Sequence, residues 1–179
     1  MVADHPAGWH YRLLRLEPML LVGRPTDPHR ETASFHDRAV TVFADAPGSG
    51  MYNVHGEYIS DFEGDTGITL RWLGNPGTFN NCLAAVMRSP EPAFVLDFAS
   101  YTERYAAVGL PVYQPQEHQP VYPWSIAWRD EQLTEPVAAV VRGAVALSRR
   151  KGWTSPTEGS APMWLPPGDP ATNLLTPPG

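Results

Sequence analysis

The sequence predicts an α/β fold whose centre is a parallel sheet. Three short apolar runs, at 38–44, 68–73 and 93–96, have the length and composition of buried strands. Between them lie two stretches, 51–62 and 79–87, whose apolar residues recur near the helical period. Because this strand–helix–strand–helix–strand order has short connections, it is typical of two consecutive βαβ units in one parallel sheet.

The N-terminal segment predicts extended structure that is interrupted by a proline. Residues 11–23 are rich in leucine, but Pro18 lies within them and argues against one helix or one central strand. We therefore expect an extended piece before Pro18 and a short buried strand over 19–22. The polar stretch 24–37 is predicted to be a loop.

The ends of the two central helices are marked by residues that favour helix termini. Gly64 and Gly67 are expected to end the first helix, and Thr78 is the predicted N-cap of the second. Pro90 and Pro92 stop the second helix before the third strand begins.

The C-terminal part predicts a strand, a long helix and a tail. Prolines break the chain between 111 and 123 and leave room for a short strand at 112–113, and 123–129 reads as a further strand. A helix follows, with Thr134 as N-cap, Pro136 in its first turn and Gly152 after its end. Its apolar face consists of Val137, Val140, Val141, Ala144 and Leu147. Pro, Gly, Ser and Thr dominate 154–179, so we expect a disordered Pro-rich tail there.

Composition excludes several classes of protein. A chain of 179 residues that is 42% hydrophobic can close a core, and its net charge of −6 opposes a general nucleic-acid surface. The single cysteine, Cys82, excludes a disulfide framework and a Cys-based zinc site. No apolar run is long enough for a membrane span, and the N-terminus lacks the basic and apolar regions of a secretory signal. We therefore expect a cytoplasmic protein.

Two motifs resemble catalytic or metal-binding patterns but lack necessary parts. Asp61, Glu63 and Asp65 alternate as in a calcium loop, yet the glycine of loop position 6 and the acid of position 12 are missing. Ser148 and Lys151 match Ser-x-x-Lys, but they lie at a basic helix end without the companion motifs. The six histidines stand singly, without paired ligand spacing. The sequence therefore predicts no catalytic residue, no metal and no cofactor.

Polar residues follow each of the three central strands, where open α/β sheets bind ligands. Gly48, Ser49 and Gly50 come after the first strand and open a helix, so their backbone N–H groups favour an anion. A turn that merely requires glycine explains this run equally well. Asn75 and Thr78 occupy the equivalent place after the second strand. The predicted ligand-binding set is Gly48, Ser49, Gly50, Asn75, Thr78 and Asp97.

The assembled order resembles the effector-binding domain of LysR-type transcriptional regulators over residues 9–153. The leucine-rich segment 14–22, followed by 24–29, resembles the crossover into the second lobe of that domain, and 39–96 is similar to the lobe itself. The strand 123–129 and the helix before Trp153 look like the domain's return strand and final helix. The run 86–93 departs from the family pattern at a ligand-facing loop.

This resemblance implies a periplasmic-binding-protein-like (type 2) fold, with one complete βαβαβ lobe at about 24–118 and the return strand and helix of the other lobe at 119–153. It also implies that an effector, often a small organic acid, binds between two lobes and shifts an oligomer on DNA. Gly48 to Gly50, Asn75 and Thr78 would donate hydrogen bonds to this anion, and Asp97 would orient it.

The family's helix-turn-helix and most of its first lobe are not found in this sequence, so DNA contact by this chain is not expected. Residues 124–153 would then have no sheet to join. The apolar helix face at 137–147 would be left exposed, and we expect it to contact a second copy of the chain or a partner lobe. A freestanding solute-binding protein and a small α/β enzyme remain alternatives. The missing signal peptide counts against the first, and the missing nucleophile–base pair counts against the second.

Overall fold

A computed structural model describes residues 8–23, 30–49, 53–75, 77–89, 93–155 and 161–174. The chain divides into two compact units. The first unit comprises Met1–Glu17, Val121–Glu158 and Leu165–Gly179. The second comprises Pro18–Pro120 and Gly159–Trp164.

The centre of the second unit is the predicted parallel sheet. Strands β3 (Val40–Val42), β4 (Arg71–Trp72) and β5 (Phe94–Phe98) run parallel, with β3 in the middle. Helix α1 (Val54–Thr66) connects β3 to β4, and helix α2 (Phe79–Arg88) connects β4 to β5. The predicted strand–helix–strand–helix–strand order is therefore confirmed.

Two element boundaries differ from the prediction for local reasons. Gly64 lies inside α1, and the helix ends at Gly67, which adopts a left-handed φ of 71°. Strand β4 is shorter than the predicted run 68–73, because the Leu70 N–H donates to Glu63 Oε1 at 2.6 Å instead of to a neighbouring strand. Thr78 caps α2 as predicted, accepting a hydrogen bond from the N–H of Asn81.

The sheet is mixed because other strands join its parallel centre. Strand β1 (Trp9–Gly23) runs antiparallel to β5 and to β6 (Val112–Pro115), and β2 (Thr32–Ala33) runs parallel to β6. The strand order is β2-β6-β1-β5-β3-β4.

Two expectations for this region are corrected. Pro18 does not interrupt β1, because the ladder with β5 begins at Met19, one residue after the missing N–H. The predicted loop 24–37 contains the short strand β2, and its residues 24–29 lie outside the described part of the chain.

The two faces of the sheet in the second unit have separate cores. On the α2 face, a buried cluster includes Val22, Val86, Val95, Tyr105 and Leu110. Tyr105 belongs to helix α3 (Thr102–Ala106), which follows a 3₁₀ turn at Ala99–Tyr101. No sequence pattern predicts this helix, because one and a half turns are too short to show a helical period.

On the α1 face, the C-terminal segment supplies part of the core. Strand β8 (Met163–Trp164) pairs in parallel with the start of β7 (Gln119–Arg129), and Trp164 is buried. Residues 170–174 form a 3₁₀ helix. The described residues 161–174 thus differ from the disordered tail predicted for 154–179: they include a strand and a 3₁₀ helix, and Trp164 and Leu165 are buried, which composition alone does not signal.

The first unit contains most of β7 and helix α4 (Glu135–Lys151), which ends at Gly152 in the left-handed conformation, as predicted. Thr134 precedes the helix but makes no side-chain cap. The Ser148 hydroxyl donates to the carbonyl oxygen of Leu14 at 2.5 Å, and the Leu16 N–H donates to the carbonyl oxygen of Trp153 at 2.9 Å. These bonds attach the C-terminal half of α4 to β1.

The sequence predicted that residues 124–153 would have no sheet to join. The structure corrects this prediction, because β7 pairs with β1, which begins at Trp9. The apolar face of α4 is correspondingly half-covered at Val137, Val141, Ala144 and Leu147. Val140 remains 65% exposed.

Candidate functional site

Loops after β3, β4 and β5 meet at one edge of the second unit, since the carboxyl ends of parallel strands lie on the same side of a sheet. They contain the predicted ligand-binding residues other than Gly50, which lies outside the described residues. We call residues 43–49, 73–75, 77–78 and 97–101, which comprise these loops and the end of β5, the carboxyl edge.

The first loop is held by the side chain of Asn53, the N-cap of α1. Its Nδ2 donates to the carbonyl oxygens of Asp45 and Ala46, each at 2.8 Å, while its Oδ1 accepts from the Gly56 N–H at 3.1 Å. The Ser49 hydroxyl donates to the Ala46 carbonyl oxygen at 2.5 Å. The hydroxyl proton of Ser49 is therefore used within the loop.

Gly48 has a φ of +77°, and a Cβ there would meet no atom within 4 Å. Glycine is thus favoured at position 48 by the backbone conformation of the turn, and not by the close approach of another group. The geometry of this loop favours the turn interpretation that the sequence left open beside the ligand interpretation.

The second loop is tied to the first through a carboxylate. Asp45 Oδ1 accepts from the Asn75 N–H at 3.0 Å, and Asn75 Oδ1 accepts from the Gly77 N–H at 2.8 Å. Thr78 Oγ1 accepts from the Asn81 N–H at 3.3 Å. No hydrogen bond in the described part of the chain uses the amide nitrogen of Asn75 or the hydroxyl proton of Thr78. Both groups can therefore donate to a ligand.

Asp97 lies near the carboxyl end of β5, one residue beyond the predicted strand, and is engaged in the protein's own packing. Its Oδ1 accepts from the Phe98 N–H at 2.8 Å, and its Oδ2 accepts from the Tyr105 hydroxyl at 2.6 Å. Burial, together with the Asp97 charge and hydrogen bond, raises the pKa of Tyr105 far above its usual value. Burial, followed by the Asp97 charge, also raises the pKa of Cys82, which keeps this thiol protonated. Asp97 thus anchors α3 to β5.

A cation that the sequence analysis missed lies at the N-terminus of α2. The Arg104 guanidinium stacks over the Phe79 ring at 3.9 Å from its centroid, and Phe79 directly follows Thr78. The Phe79 ring is held in turn by Tyr101 and Tyr105, at centroid distances of 5.8 and 4.8 Å. The sequence gives no sign that Arg104 lies near the carboxyl edge, because its position depends on helix α3, which was not predicted.

The electrostatics of the carboxyl edge differ between its two ends. At the β3 end, Asp45 and Glu57 are exposed acids, and burial lowers the pKa of His55, so its imidazole stays neutral at pH 7. At the α2 end, Arg104 makes no ion pair with any described residue. The α2 end, with Arg104, Thr78, Asn75 and the helix N-terminus, is the part of this edge that suits an anion.

The described residues show neither a metal-binding cluster nor a membrane-spanning helix. They contain no group of three or more His, Cys, Asp or Glu side chains placed to hold a metal ion. The acids at 61, 63 and 65 include two that bind indoles: Glu63 accepts from Trp72 Nε1 at 2.7 Å, and Asp65 accepts from Trp164 Nε1 at 3.0 Å. None of the described helices has the length and apolarity needed to cross a bilayer.

A parallel sheet centre with helices on both faces and polar loops at its carboxyl edge defines an α/β lobe of the periplasmic-binding-protein-like type. Comparison with solved structures narrows this fold type further. The chain has the fold of the effector-binding domains of LysR-family transcriptional regulators. The resemblance noted in the sequence is thus confirmed at the level of the fold.

Three solved structures illustrate this likeness. The regulatory domain of MexT, a transcriptional activator from Pseudomonas aeruginosa, is 15% identical with a TM-score of 0.55, covering 82% of this chain and 71% of that one. The effector-binding domain of QuiR in complex with shikimate is 12% identical with a TM-score of 0.59, covering 84% and 69%. Full-length CbnR in complex with its target DNA is 18% identical with a TM-score of 0.54, covering 83% and 50%.

The chain thus spans about half the length of a full-length regulator such as CbnR. No family model and no curated protein sequence matches it.

Proposed function

We propose that this chain is the effector-sensing portion of a LysR-type transcription regulator and that its effector is a small organic acid. The observation that carries the proposal is the placement of Arg104, Thr78 and Asn75 around the N-terminus of α2, in a fold whose neighbours are regulatory domains. QuiR, with the same fold, is solved with the organic acid shikimate.

The chemistry of these groups favours a carboxylate. A guanidinium, a hydroxyl and an amide NH₂ are all donors, and the helix N-terminus adds partial positive charge. Because Ser49 donates within its own loop and Asp45 is an acid, we assign the ligand contact to the α2 end rather than to Gly48, Ser49 and Gly50. Asp97 acts indirectly, by holding α3 and with it Arg104.

The proposal gives the chain a binding role and no catalytic one. The hydroxyl and carboxylate groups at the carboxyl edge, on Ser49, Thr78 and Asp97, hold backbone or side-chain atoms of the protein. DNA would be bound by a helix-turn-helix domain, which the described residues do not contain, and such a regulator would act in the cytoplasm. A second copy of the chain would dock on the α4 face around the exposed Val140.

Isothermal titration of the full chain with shikimate, followed by a panel of other small carboxylic acids at constant ionic strength, tests the proposal. We expect at least one acid to bind at one site. The Arg104→Gln variant should weaken it about tenfold, the value of one charge-assisted hydrogen bond, and Thr78→Val somewhat less. Arg88→Gln, at the opposite end of α2, is the matched control and should leave binding unchanged. Equal affinity of the Arg104→Gln variant and the parent chain would refute the assigned site.

A further inference from the structure

Aromatic rings form a continuous row along the carboxyl edge. His55 of α1 lies 5.4 Å from Phe98 at the end of β5, and Phe98 lies 6.4 Å from Tyr101, where each distance joins two ring centroids. Tyr101 lies 5.8 Å from Phe79, the first residue of α2. All three distances are within the range of attractive ring pairs, about 4.5–7 Å. We call these four residues the aromatic row, and its α2 end lies beside the proposed effector contacts.

The core of the second unit uses only part of this row. Phe79 packs against the buried cluster on the α2 face, and Tyr105, which contacts it at a centroid distance of 4.8 Å, is fully buried. Phe79 and Phe98 themselves are half-buried, and Tyr101 is 37% exposed. The row therefore presents an accessible apolar surface, of the kind on which a flat ligand can stack.

A cation lies at the α2 end of the aromatic row. The guanidinium carbon of Arg104 is 3.9 Å from the ring centroid of Phe79 and 5.9 Å from that of Tyr101. No described residue forms an ion pair with this guanidinium. Because Arg104 is held against one ring and borders an exposed one, a carboxylate bound to it brings the group that it carries to the Tyr101 ring.

Acidic side chains at the other end of the edge limit the charge of the ligand. Asp45 and Glu57 are both exposed at the β3 end. A ligand that extends from Arg104 along the row with a second carboxylate would bring this group towards those acids, and like charges repel. The edge thus favours a ligand with a single negative charge, located at Arg104.

We propose that the effector of this chain is an aromatic monocarboxylic acid of the benzoate type. This inference rests on the proposed function, since it uses the same contacts at the N-terminus of α2. The carboxylate accepts hydrogen bonds from Arg104 and Thr78, and the ring of the acid stacks on Tyr101. A ring pair contributes about 2- to 10-fold in affinity beyond the burial of apolar area, so an aromatic acid is preferred to a saturated acid of the same size.

Isothermal titration of the full chain with benzoate and with cyclohexanecarboxylate, at equal ionic strength, tests the ring contact. The two acids share the carboxylate and have nearly the same size, so their difference in affinity measures the contribution of the aromatic ring. We expect benzoate to bind about 2- to 10-fold more tightly than cyclohexanecarboxylate. Terephthalate, which adds a second carboxylate opposite the first, should bind more weakly than benzoate.

Substitutions at Tyr101 assign the ring contact to this residue. Tyr101→Leu keeps an apolar side chain but removes the ring, so benzoate should lose its advantage over cyclohexanecarboxylate while Arg104 still binds both acids. Tyr101→Phe keeps the ring and should keep the advantage. The matched control is Tyr11→Leu, because Tyr11 of β1 is equally exposed, at 37%, and lies in the first unit. This variant should leave both affinities unchanged.

The outcomes separate this inference from the proposed function. Equal affinity of the parent chain for the two acids, with both weakened by Arg104→Gln, would overturn the aromatic preference and leave the proposed function standing. An advantage for benzoate that persists in Tyr101→Leu would overturn the ring contact with Tyr101. Failure of every tested acid to bind would overturn the proposed function and this inference together.

Discussion

Gly56 in α1 faces the backbone carbonyl oxygen of Asp45 so closely that a Cβ at position 56 would lie 2.2 Å from that oxygen. The same position would meet the Asn53 side chain at 2.4 Å. The close approach allows Asn53 to bond both the first loop and the first turn of α1. A helix residue without a side chain therefore sets the position of the loop that follows β3.

Replacing Gly56 with alanine should destabilise the protein even though alanine favours helix. The gain in helix propensity is about 1 kcal/mol. The displaced backbone is expected to cost more, so the net loss should be about 1–3 kcal/mol in urea unfolding. Gly64→Ala in the same helix is the matched control, because a Cβ there meets no atom within 4 Å. That variant should unfold at equal or higher urea concentration, and equal effects of the two substitutions would contradict the role of Gly56.

The hydrogen bond from the Asn75 N–H to Asp45 Oδ1 predicts a second effect at the carboxyl edge. Asp45→Ala removes the acceptor, so amide hydrogen exchange over 73–75 and 77–78 should accelerate. Asp45→Asn retains a carbonyl acceptor and should keep most of the protection, since neutral acceptors still bond amides. Accelerated exchange in both variants would show that the negative charge, and not the bond, holds the loop.

The parallel core was predictable because its signals are local. Each strand is a short β-branched run, each helix has a periodic face, and Thr78 and Gly152 mark helix ends by their own backbone preferences. Contacts between distant residues had no such signal. The partnership of β7 with β1, and of Trp164 with Asp65 across 99 positions, depends on chain topology rather than on local pattern.

The site divides in the same way. The positions of Asn75 and Thr78 after a parallel strand follow from the βαβ rule. The hydrogen bond from the Asn75 N–H to Asp45 depends on side-chain geometry, which the sequence does not show. The position of Arg104 over Phe79 depends on helix α3, whose five residues are too few for a periodic pattern. Ser49 was an attractive candidate by residue type, but sequence alone does not show that its proton is already donated to Ala46.

Trp164 should be among the most stabilising residues of the C-terminal segment. Its indole packs edge-on against Tyr58 and Phe62, with ring centroids 5.3 and 5.0 Å apart, and its Nε1 donates to Asp65. Trp164→Ala should cost about 3–5 kcal/mol in urea unfolding, as large core truncations do. Trp164→Phe should cost less, because it loses the N–H but keeps the ring. Pro167→Ala, an exposed change in the same segment, should stay within about 0.5 kcal/mol. A near-neutral Trp164→Ala would mean that this segment does not contribute to the core.

The buried Tyr105 hydroxyl predicts a loss of stability in alkali. Its folded pKa is raised by burial and by Asp97, so the folded state keeps the proton while the unfolded state releases it near pH 10. The contribution is complete below pH 10 and declines as pH rises above it. Tyr105→Phe should lower stability by about 1–3 kcal/mol at pH 7 through the lost hydrogen bond to Asp97. It should also flatten the decline between about pH 9.5 and 11. Tyr101→Phe, on a more exposed ring, should leave that slope as in the parent.

His55 predicts the opposite dependence, a loss of stability in mild acid. Burial lowers its folded pKa from 6.5, and a positive charge is further disfavoured at the second residue of α1, near the helix N-terminus. Below about pH 6.5 the unfolded state binds a proton that the folded state resists, so stability present above that pH is lost as the pH falls. Urea unfolding at pH 7.5 and 5.5 should therefore show a lower free energy of unfolding at pH 5.5, with this residue contributing to the difference. His55→Gln should remove that part of the difference, whereas His36→Gln, at an exposed position, should leave it intact. An acid loss of equal size in His55→Gln would assign it to other groups.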